Sequence, residues 1–123
     1  MDQLGPLVFV VDDRTVIAET LAMILNQGGF RAMAFDDPTV VVSAASIKCP
    51  DVLISDVIMP RMSGVQLAIH FRQAHPECRI LLVSGQTATA DLLQQARSEG
   101  YDFEILAKPV HPTELLEKLR ASA

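Results

Sequence analysis

Short apolar runs alternate with longer mixed stretches along the whole chain. LVFVV (7–11), FRAMAF (30–35), DVLIS (51–55), RILLVS (79–84) and FEILA (103–107) predict strands. Several are continuously apolar and rich in β-branched residues, the pattern of parallel strands covered on both faces. Between them the period lengthens. Ile17, Leu21, Ile24 and Leu25 fall at i, i+4, i+7 and i+8, and Gly28-Gly29 supplies a stop. Asp37-Pro38 reads as an N-cap followed by proline at the first helical position, opening a helix over roughly 38–47. Val65, Ala68 and Phe71 mark a third helix that ends at His75-Pro76. A fourth runs from about Thr89 to Glu99, and a fifth begins at Pro112 and carries Leu115, Leu116 and Leu119.

The order is β-α repeated five times. Such alternation predicts an α/β fold: a single doubly wound domain over residues 1–123, with a parallel sheet, right-handed crossovers and helices on both faces. Ligands in open sheets of this kind bind beyond the carboxyl ends of the strands. The residues there are Asp12-Asp13, Asp36-Asp37, Asp56, Ser84-Gly85 and Lys108-Pro109.

Composition narrows the picture. A chain of 123 residues suits one core and needs no disulfide or metal to fold. The net charge of -5, without a basic run, argues against nucleic-acid binding by this chain. No apolar run approaches the roughly 20 residues of a membrane span, and MDQLGPL lacks a signal pattern, so a cytoplasmic protein is expected. Cys49 and Cys78 form no CxxC pair and read as free thiols.

Adjacent acids at the end of a core strand need a reason. Two like charges about 4 Å apart repel by about 4 kcal/mol at an effective dielectric of 20. With the first strand central, Asp12, Asp13 and Asp56 gather on one small area, where a hard divalent cation is the natural guest. Mg²⁺ fits, because it takes one or two carboxylates, keeps waters and leaves room for a phosphate. Lys108 and Ser84 are suited to holding phosphoryl oxygens, and Gly85 to a close ligand approach. A carboxylate nucleophile, a cation, an amine and a hydroxyl together suit phosphoryl transfer. GxxxxGK[ST] and GxGxxG are absent, and Ile58 stands where a haloacid-dehalogenase-type site would carry its second aspartate.

The motifs VVDD (10–13), LISDVIMPRMSG (53–64), LLVSG (81–85) and AKPV (107–110) resemble those of the receiver domains of two-component response regulators. The similarity runs from about Leu7 to Leu119, and DVIMPRMSG is close to the family's D-x-x-M-P-x-M-x-G loop. The resemblance implies a flavodoxin-like, chemotaxis-regulator-like (βα)5 fold with strand order 2-1-3-4-5. It implies that Asp56 is the phosphoacceptor and that Mg²⁺ is held by Asp13, Asp56, the Ile58 carbonyl and, through a water, Asp12. Lys108 would contact the phosphoryl group, Ser84 would swing toward it, and the Lys108-Pro109 bond would be cis. The implied donor is a sensor histidine kinase or histidine phosphotransfer protein, and a downstream protein would read the switched state. The chain would act as a signalling switch catalysing its own phosphorylation and dephosphorylation, not as a turnover enzyme. No output domain is expected in this chain, which is expected either to stand alone or to be cut from a longer regulator.

Two departures stand out. Ile105 occupies the position where relatives carry a rotating aromatic three residues before the lysine, and Phe103 lies two residues further from the site on the same face. The stretch from Gly100 to Lys108 is one residue longer than the common pattern, so a bulge or shifted loop is a way to restore an aromatic. Ile58 and Gln86 sit where relatives flank an attacking water. Ile58 offers it no hydrogen bond, which predicts a long-lived aspartyl phosphate.

Other residues have plainer readings. Asp36-Asp37 caps a helix, and His70, His75 and His111 lack metal-ligand spacing. Met59 and Met62 pack a loop, and Arg61 and Arg72 are solvated charges. The outer face of the fourth and fifth helices, with Leu92, Leu93 and Arg97, is a candidate homodimer surface. A receiver that binds partners without phosphorylation, favoured by Ile105, is the rival reading. A small metal-dependent phosphatase is a third, lacking a separate general acid.

Overall fold

A computed structural model describes residues 5–85 and 89–121. Strands β1 (Leu7–Val11), β2 (Arg31–Phe35), β3 (Val52–Asp56), β4 (Arg79–Ser84) and β5 (Glu104–Ala107) alternate with five helices. These are α1 (Thr15–Gln27), α2 (Pro38–Ile47), α3 (Gly64–Ala74), α4 (Thr89–Ser98) and α5 (Pro112–Arg120). The sheet is parallel throughout, in the order β2-β1-β3-β4-β5. The fold class expected from the alternating pattern is the one observed.

The continuous apolar runs are explained by two cores on opposite faces. Phe9, Val11, Leu53, Ile80 and Leu82 face α2, α3 and α4, where they meet Val41, Leu67 and Phe71. Val8, Val10, Ile54, Leu81 and Val83 face α1 and α5 and meet Leu21, Leu25 and Leu115. Successive strand residues point to opposite faces, so a strand buried on both must be apolar at every position. Truncating a fully buried Leu such as Leu53 costs about 2–5 kcal/mol.

Helix boundaries follow local chemistry. The Asp37 carboxylate accepts from Thr39 N–H at 2.9 Å, with Pro38 at the first helical position, as the sequence predicts. Ser63 and Gln66 form a capping box at the start of α3, each satisfying the other's backbone N–H. Among the described residues no helix is long and apolar enough to cross a membrane. Leu92 and Leu93, assigned by the pattern to an outer face, are half-buried and pack onto the α3-side core. Of that set Arg97 is exposed, 3.7 Å from Asp102.

Candidate functional site

Because β1 is central and β3 is its neighbour, their carboxyl ends sit side by side. Asp12 follows β1, and Asp56 is the last residue of β3, one position further along the strand than the apolar run alone suggests. Asp12, Asp13 and Asp56 each place a carboxylate oxygen within 4.8 Å of the others. Asp12 and Asp56 are buried while Asp13 is exposed. An all-oxygen donor set of this size fits a hard divalent cation such as Mg²⁺ and is a poor match for soft metals.

Lys108 crosses to the same spot from the end of β5. Its ammonium lies 2.8 Å from the Asp56 carboxylate. The peptide bond from Lys108 to Pro109 is cis, and the Lys108 N–H donates to the Ser84 carbonyl at 3.1 Å. Gly85 makes this route possible. A Cβ built there would lie 2.7 Å from the Cβ of Lys108, so the space opened by the glycine holds the lysine stem and not a ligand as expected. Gly64 has a comparable role, since a Cβ on it would collide with the backbone of Asp56. Its N–H donates to the Val57 carbonyl at 2.8 Å and draws the loop after β3 against the start of α3.

Three further contacts fix the loops around the acids, and the residues behind them were read from sequence as bland or not at all. The Arg14 N–H donates to Asp12 Oδ1 at 2.9 Å, and its guanidinium lies 3.5 Å from the same oxygen. Thr15 donates its hydroxyl to Asp36 at 3.0 Å. Arg61 is exposed, as expected of a solvated charge, but it also pairs with Asp37 at 2.8 Å and adopts a φ of 71°. Left-handed backbone is costly for a long side chain, and here the ion pair helps hold it. Hydrogen bonds from the hydroxyl and N–H of Thr39, with Arg61 nearby, hold the Asp37 carboxyl below its ordinary range. No local motif announces a partner that lies in another loop, so the residues around Arg61 give no sign of the pair.

Ser84 ends β4, half-buried and paired with Ala107 in the sheet. Ile58 lies in the loop after β3 and is 49% exposed. Gln86 lies outside the described residues. Ile105 pairs with Leu82 and packs on the α3-side core. The β4–β5 register runs without interruption from Leu81–Glu104 to Ser84–Ala107, so no bulge restores an aromatic near the site. The extra length is taken up before β5. There Tyr101 stacks on Phe103 with ring centroids 6.2 Å apart, and the Arg72 guanidinium sits 5.0 Å from the Phe103 centroid. Arg72 is thus half-buried over a ring rather than solvated. Met59 is buried and Met62 packs on the same core, as loop-packing residues do. His75 caps α3 and His111 precedes α5.

A doubly wound sheet with acids and a lysine at its carboxyl edge defines a class of α/β domains with an acidic rim suited to a cation, and comparison with known proteins makes the class specific. Residues 8–120 match the family model described as the response regulator receiver domain, and the chain belongs to that family. The probable transcriptional regulatory protein TcrX of Mycobacterium tuberculosis is 32% identical over 114 residues, which cover 93% of this chain and 48% of TcrX. CreB of Escherichia coli, a transcriptional regulatory protein, is also 32% identical, over 92% of this chain and 48% of its own length. The chain spans about half the length of these curated relatives. Among solved structures, the chemotaxis protein CheY4 of Vibrio cholerae superposes with a TM-score of 0.83 at 26% identity, over 97% of this chain and 99% of that one. A receiver domain protein from Clostridium thermocellum gives 0.84 at 24% identity, over 94% and 92%.

Proposed function

We propose that this chain is a phosphoacceptor: Asp56 takes a phosphoryl group from a phosphohistidine on a sensor kinase or histidine phosphotransfer protein, and the product changes which partner protein binds. The observation that carries the proposal is the Lys108 ammonium 2.8 Å from Asp56, beside the Asp12–Asp13–Asp56 cluster. Receiver domains as a family are signalling switches. The residue roles and the Mg²⁺ requirement are our reading.

Asp12, Asp13 and Asp56 would hold Mg²⁺, with the Ile58 carbonyl completing the protein ligands. Bound there, the cation would offset charge on the phosphoryl oxygens. A carboxylate oxygen of Asp56 attacks phosphorus, and the bond from phosphorus to the donor imidazole breaks. The electron pair stays with the imidazole nitrogen, and the ring, protonated on its other nitrogen, leaves as neutral imidazole. Lys108 follows the charge from the carboxylate to the phosphoryl oxygens, and its partly buried position keeps water from screening the contact fully. Ser84 donates its hydroxyl to one of those oxygens. Both residues are drawn inward from the ends of β4 and β5, and that displacement biases the neighbouring loops toward a second arrangement.

Incubation with Mg²⁺ and acetyl phosphate, followed by intact-mass measurement, tests the reading. A gain of one phosphoryl group that is lost in Asp56→Ala supports it, and an unchanged mass refutes it. Ile105 favours a second reading, a module that binds its partner in the same way whether or not Asp56 is phosphorylated. A partner affinity unaffected by phosphorylation would select it. The net charge of -5 supports a protein partner over nucleic acid for this segment.

A further inference from the structure

A cavity of about 490 Å³ lies beside Asp56 and Lys108, between α1 and the segment that follows β5. Val10, Ile54 and Val83 of the sheet form its floor, Ile17 and Ile24 line the α1 side, and Val110 stands opposite. The size falls in the roughly 300–1,000 Å³ range of small-molecule pockets. Its shape has a local cause. Towards the far end α1 and α5 are tied together, because Arg120 donates to the Gly28 carbonyl at 2.9 Å and Leu116 packs where a Gly28 side chain would stand. Nearer the site the space beside α1 is lined by Thr20 on the helix and by Pro109 and Val110 of the segment before α5.

The charged residues of the lining are Asp12, Arg14, Asp56 and Lys108, all at or just beyond the carboxyl ends of β1, β3 and β5. The two basic groups face carboxylates, at 3.5 Å for Arg14–Asp12 and 2.8 Å for Lys108–Asp56. A divalent cation among Asp12, Asp13 and Asp56 would offset two of their three charges, and Arg14 and Lys108 would then bring the rim to about one net positive charge. An apolar interior under a rim that is net positive once the cation is bound fits a molecule with an aliphatic body and a negative head.

We propose that the cavity binds a small aliphatic acid, its chain over Val10, Ile54 and Val83 and its carboxylate against Arg14 and Lys108. In one respect this rests on the function proposed above: the head competes with the incoming phosphoryl group for Lys108, so a filled cavity slows phosphorylation of Asp56. Burial of each methylene strengthens binding by about fourfold.

Titration with octanoate at saturating Mg²⁺, followed by methyl NMR, tests the assignment. Methyl signals of Ile17, Ile24 and Val110 are expected to shift and saturate, with half-saturation below about 1 mM. Hexanoate, two methylenes shorter, should bind about sixteenfold more weakly, and octylamine more weakly than octanoate. Thr20→Phe and Val110→Phe, each filling the cavity from a different side, should weaken octanoate binding about tenfold or more. Shifts that do not saturate, equal binding of octylamine, or full binding in both folded variants would overturn the proposal. So would a cavity that ignores these ligands and responds only to a phosphodonor protein. Acetyl phosphate labelling of the same sample separates the two readings. Labelling without octanoate binding refutes the cavity assignment alone, whereas octanoate binding to a protein that never labels refutes the phosphoacceptor role alone.

Discussion

The side-chain amide of Asn26 holds both backbone groups of Ala32: it accepts from the N–H at 2.9 Å and donates to the C=O at 3.3 Å. Ala32 lies on β2, an outer strand of the sheet, and its neighbours Arg31 and Met33 face β1 in the ladder. Asn26 therefore stands where a further strand would pair. Unpaired edges invite such pairing, and natural sheets block them by several devices.

Asn26→Ala should destabilise the fold by about 1–2 kcal/mol, since two exposed hydrogen bonds are lost. It should also raise self-association, because Ala32 and the half-exposed Met33 become available together. Urea unfolding and size-exclusion chromatography over a concentration series measure the two effects. A variant as stable and as monomeric as the parent would contradict this role.

Lys108 competes with any metal for Asp56. Lys108→Ala should bind Mg²⁺ about three- to tenfold more tightly, equivalent to roughly 1 kcal/mol. Asp13→Asn should bind it at least about tenfold more weakly. Calorimetric titration distinguishes these opposite signs, and equal affinities in all three proteins would remove the acids from the metal site.

The aspartyl phosphate should persist. Ile58 is exposed at the loop after β3 and has no group with which to orient water. Ile58→Asn should speed loss of the phosphoryl group by about three- to tenfold, a barrier change of about 1 kcal/mol. An unchanged decay in intact-mass time courses would place the control of lifetime elsewhere.

Acid should weaken one particular tie. Arg79 grips both oxygens of Glu104, at 2.8 and 2.7 Å, and also donates to the Lys118 and Leu119 carbonyls at the end of α5. The hydrogen bond from Arg79 holds the Glu104 carboxyl below its ordinary 4.5. A depressed carboxyl contributes stability above its unfolded value, and that contribution fades as pH falls through the folded one. Glu104 is partly exposed, so the contribution is under about 1 kcal/mol. Glu104→Gln should be less stable than the parent near neutrality and match it in acid, as read from urea midpoints across that range.

The two cysteines should differ in reactivity. Burial, chiefly, pushes the Cys78 thiol up to about 12, while Cys49 is exposed and raised by desolvation and by Asp51 and Glu77. Iodoacetamide should therefore label Cys49 slowly in the native protein and Cys78 only after unfolding. Peptide mass mapping shows the order.

The strands were legible because a strand buried on both faces must be apolar at nearly every position, as in Val8–Val11 and in Ile80, Leu81 and Leu82. The acids were legible because they interrupt those runs at the strand ends. The seat of Lys108 was half legible: its place after β5 could be read, but the packing of its stem on Gly85 depends on two loops meeting. Arg61, Thr15 and Asn26 left no mark for the same reason, since each one's partner belongs to another element. Leu92 and Leu93 misled because helical spacing gives a stripe without saying which neighbour it meets.

Gly85 carries one last consequence. A single methyl group there would lie 2.7 Å from the Lys108 Cβ, so the lysine stem that carries the amine to Asp56 would have to shift. The seat of that one amine thus depends on a hydrogen atom of a residue that bears no charge. A bulkier residue at this point would leave the acids in place while displacing the stem of their resident counter-ion.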